Sequence, residues 1–290
     1  MSQILTTLVD ATELAARLET PGLRLVDCRF QLSDPAAGRA AYLRAHIPGA
    51  LYADLERDLS GPVTPESGRH PLPERHQLEA TFGLMGISSS HQVVAYDDAG
   101  GAYAARLWWL LRWMGHAGVA VLNGGLQAWV AGGRSLESGK IVPQRARFMP
   151  GSPLTRTVEA RDIQHDGVER LLDARGAERY NAEVEPIDTV AGHIPGAVNH
   201  PYTLNLDPAG RFIAGVRLRE RLLTTLGATA PDQAAVMCGS GVTACHLLLA
   251  LEVAGLRGAA LYPGSWSEWI RDPRRPVAGR AGAPSADGAA

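Results

Sequence analysis

Three cysteines among 290 residues are odd in number and too few for a secreted disulfide framework. The 28 lysines and arginines nearly balance the 30 aspartates and glutamates, leaving a net charge of -2. That removes the basic footprint of a nucleic-acid binder, and no basic amphipathic face argues for a membrane surface. No apolar run reaches the roughly 18 residues of a membrane span; LWWLLRWM is broken by Arg112. The opening MSQILTTLVDATELAARLE lacks the charged start and unbroken apolar stretch of a signal peptide. The expectation is a cytoplasmic protein with neither nucleic acid nor membrane as partner.

What is present is an ordinary globular composition, 46% hydrophobic and 20% charged, in a chain long enough for two domains. It contains an internal repeat. LVDCR (25–29) returns as LLDAR (171–175), and AHIPGA (45–50) as GHIPGA (192–197). VVAYD (93–97) matches AAVMC (234–238), and NGGLQAW (123–129) matches PGSWSEW (263–269). Four matches in one order at nearly one spacing make the chain two copies of one domain. Each copy alternates short β-rich runs with helical stretches such as LRERLLTTL and TACHLLLALEVAG, which predicts an α/β fold: a mainly parallel sheet with helices on both faces. The boundaries read as domain 1 over 1–139, a proline-bearing linker over 140–157, domain 2 over 158–276 and a disordered tail over 277–290.

One short segment carries the chemistry. CGSGVT (238–243) runs from a strand into a helix, and ligands in parallel sheets bind beyond the carboxyl ends of the strands. Gly239 and Gly241 can take positive φ and let the loop curl about Cys238. Backbone N–H groups of Gly239, Ser240, Gly241, Val242 and Thr243, with the helix dipole, favour a thiolate there, and the Ser240 and Thr243 hydroxyls add donors. A buried structural cysteine is the competing reading, but a merely buried thiol needs no such loop. Cys28, inside a strand, and Cys245, inside a helix, keep that plainer reading. Cys238, Cys245 and His246 do not have the spacing of paired zinc ligands, so no metal is expected. A cysteine phosphatase would need C-x5-R, and position 244 is alanine.

With these motifs, and with YDDAGGAYAARLWW, LNGGLQAW and YPGSWSEW, the chain resembles the tandem-domain rhodanese-like sulfurtransferases over nearly its whole length. Its loop resembles that of the branch using 3-mercaptopyruvate. The resemblance implies two rhodanese-like domains, a catalytic cysteine only in the second, a persulfide intermediate and no cofactor. Asp97 aligns with Cys238, so the first copy has no nucleophile, and AGGAY replaces the compact loop. That copy would cover the cleft, offering His46, Arg29 and the Arg69–His70 pair as polar groups. Arg29–Phe30 stands where the family often has Ser–Trp. Arg179 matches the arginine that the resemblance assigns to the donor's anionic group; Arg175, four residues earlier, is a second candidate, with a surface ion pair to Glu178 or Glu183 as the alternative.

The implied reaction moves a sulfane sulfur from a small-molecule donor, 3-mercaptopyruvate, through Cys238 to cyanide or to a thiol, including one on a thioredoxin-like protein, with Ser240 relaying a proton. Thiosulfate is the alternative donor, disfavoured because the loop itself carries no Lys or Arg. A non-catalytic sulfur carrier or binding module is the remaining alternative.

Overall fold

The computed structural model describes residues 4–165 and 167–279. The first half runs β1 (Leu8–Val9), α1 (Ala11–Arg17), β2 (Leu23–Asp27), α2 (Pro35–Arg44), β3 (Leu51–Tyr52), α3 (Arg75–Leu84), β4 (Gln92–Tyr96), α4 (Ala104–Trp113), β5 (Val119–Leu122) and α5 (Gly125–Ala131). The second runs β6 (Arg156–Thr157), α6 (Ala160–Gln164), β7 (Arg170–Asp173), α7 (Ala177–Tyr180), β8 (Val198–Asn199), α8 (Gly215–Leu226), β9 (Ala234–Met237), α9 (Thr243–Val253), β10 (Ala260–Leu261) and α10 (Ser265–Trp269). The sheet orders, β1-β5-β4-β2-β3 and β6-β10-β9-β7-β8, correspond strand for strand. Every pairing between these strands is parallel.

The central strands are apolar on both faces because both faces are covered. One face of each sheet packs into a core private to its half, around Leu14 and Trp129 in the first and Trp266 and Trp269 in the second. The other two faces share one core, in which α4 packs against α9. Ala104 through Leu111 of α4 and Ala244 through Leu251 of α9 are therefore all buried, as helices enclosed on every side must be. Arg112 and Glu252 close the end of this contact at 3.6 Å.

The repeated motifs are staples. The Asp27 carboxylate accepts from Arg29 N at 2.9 Å and from its guanidinium at 2.6–3.0 Å, and Arg29 Nη2 donates to Ala45 O at 2.7 Å. Asp173 binds Arg175 in the same way, and Arg175 Nη2 reaches Gly192 O at 2.7 Å. Each pair thus ties the end of a strand to the start of an HIPGA loop. The histidines of those loops repeat the logic: His46 stacks on Tyr42 at 4.2 Å and His193 on Tyr180 at 3.7 Å, each with Nδ1 2.8 Å from that tyrosine's carbonyl oxygen. His46 Nε2 also meets Glu137 at 3.1 Å. Arg29 and His46, expected as cleft residues, are occupied in holding the first half together.

The expected linker is fastened along the first half. Phe148 is buried against Phe82, Ala146 N donates to Gly83 O, and Gly151 N donates to Met114 O. Its last two residues, Arg156 and Thr157, are already β6 of the second sheet. The tail expected from 277 begins with ordered backbone, since Ala278 and His193 exchange hydrogen bonds of 2.7 and 2.9 Å; residues 280–290 lie outside the described residues. Removing one partner of a buried ion pair leaves the other uncompensated. Asp27→Ala should therefore cost about 3–5 kcal/mol of stability, read by chemical denaturation; a loss below about 1 kcal/mol would contradict the staple.

Candidate active site

Strand β9 delivers Cys238 to the carboxyl end of the second sheet, and α9 starts five residues later at Thr243. Only Gly241 of the two loop glycines takes a positive φ, 76°, and a Cβ there would lie 2.4 Å from Pro263 O. Gly239 keeps a different space open. A Cβ on it would lie 3.1 Å from Arg69 Nη2 and 3.3 Å from Arg179 Nη1. The loop is held from below by the PGSWSEW segment: Cys238 N donates to Ser265 Oγ at 3.1 Å, Trp266 N to Cys238 O at 3.0 Å and Ser267 N to Gly239 O at 2.9 Å. Ser265 takes φ 55° to do so, an uncommon backbone conformation for a non-glycine residue. Among the described residues, the N–H groups of Gly239, Ser240, Gly241 and Val242 donate to no protein acceptor. N–H groups placed in this way, between a strand end and a helix start, make an anion cradle in the loop of Cys238.

Cys238 lines a cavity of about 200 Å3 built from both halves. Phe30, Leu55, Arg69, His70 and Tyr103 come from the first, and Arg175, Arg179, Ile187, Tyr202 and the loop from the second. Of the expected substrate residues, Arg179 and Arg175 reach this space, and Arg29 and His46 do not. Arg175 Nε and Nη2 are taken by Asp173 and Gly192 O and its guanidinium lies 4.8 Å over the Trp266 ring, while its buried Nη1 has no hydrogen-bond partner among the described residues and meets Glu185 only at 3.8 Å. Arg179 is paired to Glu185 at 3.0–3.1 Å and to Asp188 at 2.9 Å, rather than to Glu178 or Glu183. Its Nη1 remains directed at Gly239. Arg69 also binds Asp188, so one carboxylate bridges the two halves.

His70 Nδ1 sits 2.8 Å from Ser240 Oγ. Burial, reinforced by the nearby Arg106 and Arg69 charges, pushes this imidazole down to about 3, so it is neutral at physiological pH. Arg106, fully buried in α4, donates to Gly241 O at 3.1 Å, His70 O at 3.0 Å, Leu59 O at 3.3 Å and Pro71 O at 3.3 Å. Its partners there are backbone carbonyls, and the guanidinium ties the histidine segment of one half to the nucleophile loop of the other. The other thiols are disarmed by burial. Cys245 is pushed up to about 12 and donates to Gly241 O, and Cys28 is raised well above the ordinary thiol range by burial and the carboxylates around it. His246 Nε2 is held by Gly100 O at 3.1 Å.

The first half corrects one expectation. Its loop after Asp97 does form a donor cradle, and that cradle is full. Asp97 Oδ1 accepts from Ala99 N and Gly101 N, and Oδ2 from Tyr103 N and Ala104 N, all at 2.8–2.9 Å. A carboxylate occupies the place that an anionic sulfur would take in the second half. Sequence reading missed Arg106, Asp188, Glu185 and Ser265; the repeated PGSWSEW motif was the one visible trace of the last.

Both halves match the model of the rhodanese-like domain, over residues 10–132 and 157–272. The chain is similar to a probable 3-mercaptopyruvate sulfurtransferase of Pseudomonas aeruginosa, at 48% identity over 93% of this chain and 97% of that one. It is similar to a putative thiosulfate sulfurtransferase, SseB, of Mycobacterium tuberculosis, at 43% identity over 93% and 96%. Among solved structures it resembles the 3-mercaptopyruvate sulfurtransferase of Leishmania major, with a TM-score of 0.82 at 32% identity, covering 92% of this chain and 76% of that one.

Two outcomes follow from the geometry. Asp97→Cys in a Cys238→Ser background should show no sulfur transfer, because position 97 is fully buried and does not line the cavity; recovered turnover would show that the cavity matters less than the donors. Separately, the folded state keeps His70 neutral to about 3 and His246 to about 4, against 6.5 for an ordinary imidazole. The unfolded chain therefore binds protons that the folded one refuses, and stability is lost as pH falls below 6.5. Denaturation between about pH 6.5 and 5 should show a slope of up to about 1.4 kcal/mol per pH unit for each such histidine, and His70→Gln should flatten it by one proton.

Proposed function

Because the chain belongs to the rhodanese-like domain family and is a sulfurtransferase, we propose that it takes sulfur from 3-mercaptopyruvate and carries it as a persulfide on Cys238. The observation that carries this reading is the cradle: a buried sulfur that lines the cavity at a strand end, beside four backbone N–H groups with no protein acceptor among the described residues. The Cys238 thiolate attacks the donor's sulfur. A Cys238 S–S bond forms, the donor's carbon–sulfur bond breaks, and its electron pair leaves as the enolate of pyruvate. The enolate takes up a proton, for which the Ser240 hydroxyl, backed by the neutral His70 at 2.8 Å, gives a short path. The persulfide is anionic after loss of its own proton, and the loop N–H groups and the buried Arg106 cation stabilise it without reorganising. An acceptor thiolate or cyanide then attacks the outer sulfur and releases the Cys238 thiolate.

The donor's carboxylate is read by Arg179, whose Nη1 faces Gly239. Thiosulfate is the second reading for the donor. The loop has no cation of its own, but two guanidinium groups, Arg69 and Arg179, stand beside Gly239, and that favours a small sulfur oxyanion as well. Catalysis belongs to the second half and the first closes the cavity. The acceptor is an external thiol, free or on a thioredoxin-like protein, or cyanide. The compartment we assign is the cytoplasm, in keeping with three buried unpaired thiols.

Mass spectrometry after incubation with donor should place one added sulfur on the Cys238 peptide; finding it on Cys28 or Cys245, or full activity in Cys238→Ser, would overturn the assignment. Arg179→Ala should lower kcat/KM for mercaptopyruvate by more than tenfold, since losing a buried charged partner costs about 2–5 kcal/mol and each tenfold is about 1.4 kcal/mol. Placing an arginine inside the loop at Gly239 should not enhance thiosulfate use. Its first side-chain carbon would crowd Arg69 and Arg179, and activity with both donors should fall.

A further inference from the structure

We propose that Asp188 determines donor choice, by holding Arg69 of the first half and Arg179 of the second as one charge-balanced reader of the donor's anionic end. The inference rests on the donor reading above and extends it to Asp188, which neither the motif nor the resemblance singled out, and to Arg69, expected only as a polar group of the cleft. Asp188 Oδ1 takes Arg69 Nη1, and Oδ2 takes Arg179 Nη2 at 2.9 Å. The Asp188 side chain is 4% exposed, so the bridge is an internal feature rather than a solvated surface pair.

The acidic side of the cluster is itself rigid. Glu185 Oε1 accepts the backbone N–H groups of Ile187 and Asp188 at 3.1 and 3.0 Å, which fixes the turn that carries both carboxylates. Burial opposes a charge on Glu185, but the Arg179 hydrogen bonds and charge together with the N–H groups of Asp188 and Ile187 outweigh it and hold the carboxyl below its usual range. The ends of the two guanidinium groups that the acids leave free, Arg69 Nη2 and Arg179 Nη1, are the two nearest atoms to the place where a side chain on Gly239 would begin. Both arginines line the cavity that holds Cys238. A donor whose sulfur meets Cys238 therefore presents its far end to this pair of N–H donors.

Charge counting then decides which far end suits the site. Arg69 and Arg179 are matched by Glu185 and Asp188, and Arg175 by Asp173, so the cluster is formally neutral. It offers directed hydrogen bonds with no surplus positive charge. Mercaptopyruvate brings one negative charge and satisfies those donors, whereas thiosulfate brings two, and the balanced arginine–carboxylate cluster has no charge left to offset the second. Asp188 is thus a specificity-determining positioning residue. It aims the arginines and cancels half of their charge.

The test compares two variants with two donors, thermal unfolding confirming the fold of each. Asp188→Asn keeps the size of the side chain and adds one net positive charge; the ratio of kcat/KM for thiosulfate to that for mercaptopyruvate should rise about tenfold. A rise in the absolute thiosulfate rate cannot come from damage to the fold. Arg69→Gln removes one positive charge and should move the ratio in the opposite direction, with the mercaptopyruvate loss falling mainly in KM. Ratios unchanged in both folded variants, or moved in one direction by both, would overturn the proposal. Wild-type enzyme preferring thiosulfate would instead overturn the donor reading, and the opposed shifts would still decide the role of Asp188.

Discussion

Everything functional in this chain depends on one constraint: a loop of backbone N–H groups at the end of a parallel strand must find an anion. The loop turns sharply into a helix, so its donors converge and cannot satisfy one another. In the first half the requirement is met internally, by the carboxylate of Asp97 with four N–H groups around it. In the second half Cys238 stands at the equivalent point, and among the described residues the donors around it have no protein acceptor. The two halves are the same device with the anion built in and left out. Building it in yields a rigid wall; leaving it out yields a site whose missing partner is the charge that develops on sulfur.

The wall is as necessary as the site. The cavity has Phe30, His70 and Tyr103 on one side and Tyr202 and the Cys238 loop on the other, so neither half encloses it alone. Arg106 shows how tightly they are coupled. One guanidinium donates both to His70 O in its own half and to Gly241 O in the other. Carbonyl dipoles partly solvate this buried cation, but they supply no opposing charge. An anionic sulfur on Cys238 would supply it, which makes the charged states of the reaction less costly than they would be in an apolar core.

The tandem α/β architecture was legible in the sequence because four motifs recur in one order, and each of them proves to be a structural joint. That same fact misleads at the level of single residues. Arg29 and His46 are polar residues in repeated motifs, and repetition reads equally well as function or as fold; here they lock Asp27, Ala45 and Tyr42. Cys238 was legible for the opposite reason, since its loop departs from its counterpart. Arg106 was hidden inside AARLWWLLRW, where an arginine in an apolar helix gives no sign of which carbonyls it will meet. Asp188 and Glu185 were hidden because their partners lie in the other half or across a turn, and sequence distance carries no information about either. The absence of a cation between Cys238 and His246 is a property of the loop, and it does not determine which cations other elements bring to the cleft.

That last distinction explains how one fold can serve donors of different charge. Cations placed inside the loop would fix a positive site against the sulfur in every state of the enzyme. Cations brought from outside, as Arg69 and Arg179 are, can be balanced by acids that never touch the donor. The charge felt at the far end of the cavity is then set by the turn over 185–188, and the chemistry near Cys238 is set by the loop N–H groups. Because these are separate elements, one can change without disturbing the other. On the proposed reading the persulfide is held by the loop N–H groups with Arg106 behind them, and donor choice is set by a few carboxylates and guanidinium groups at the boundary between the halves.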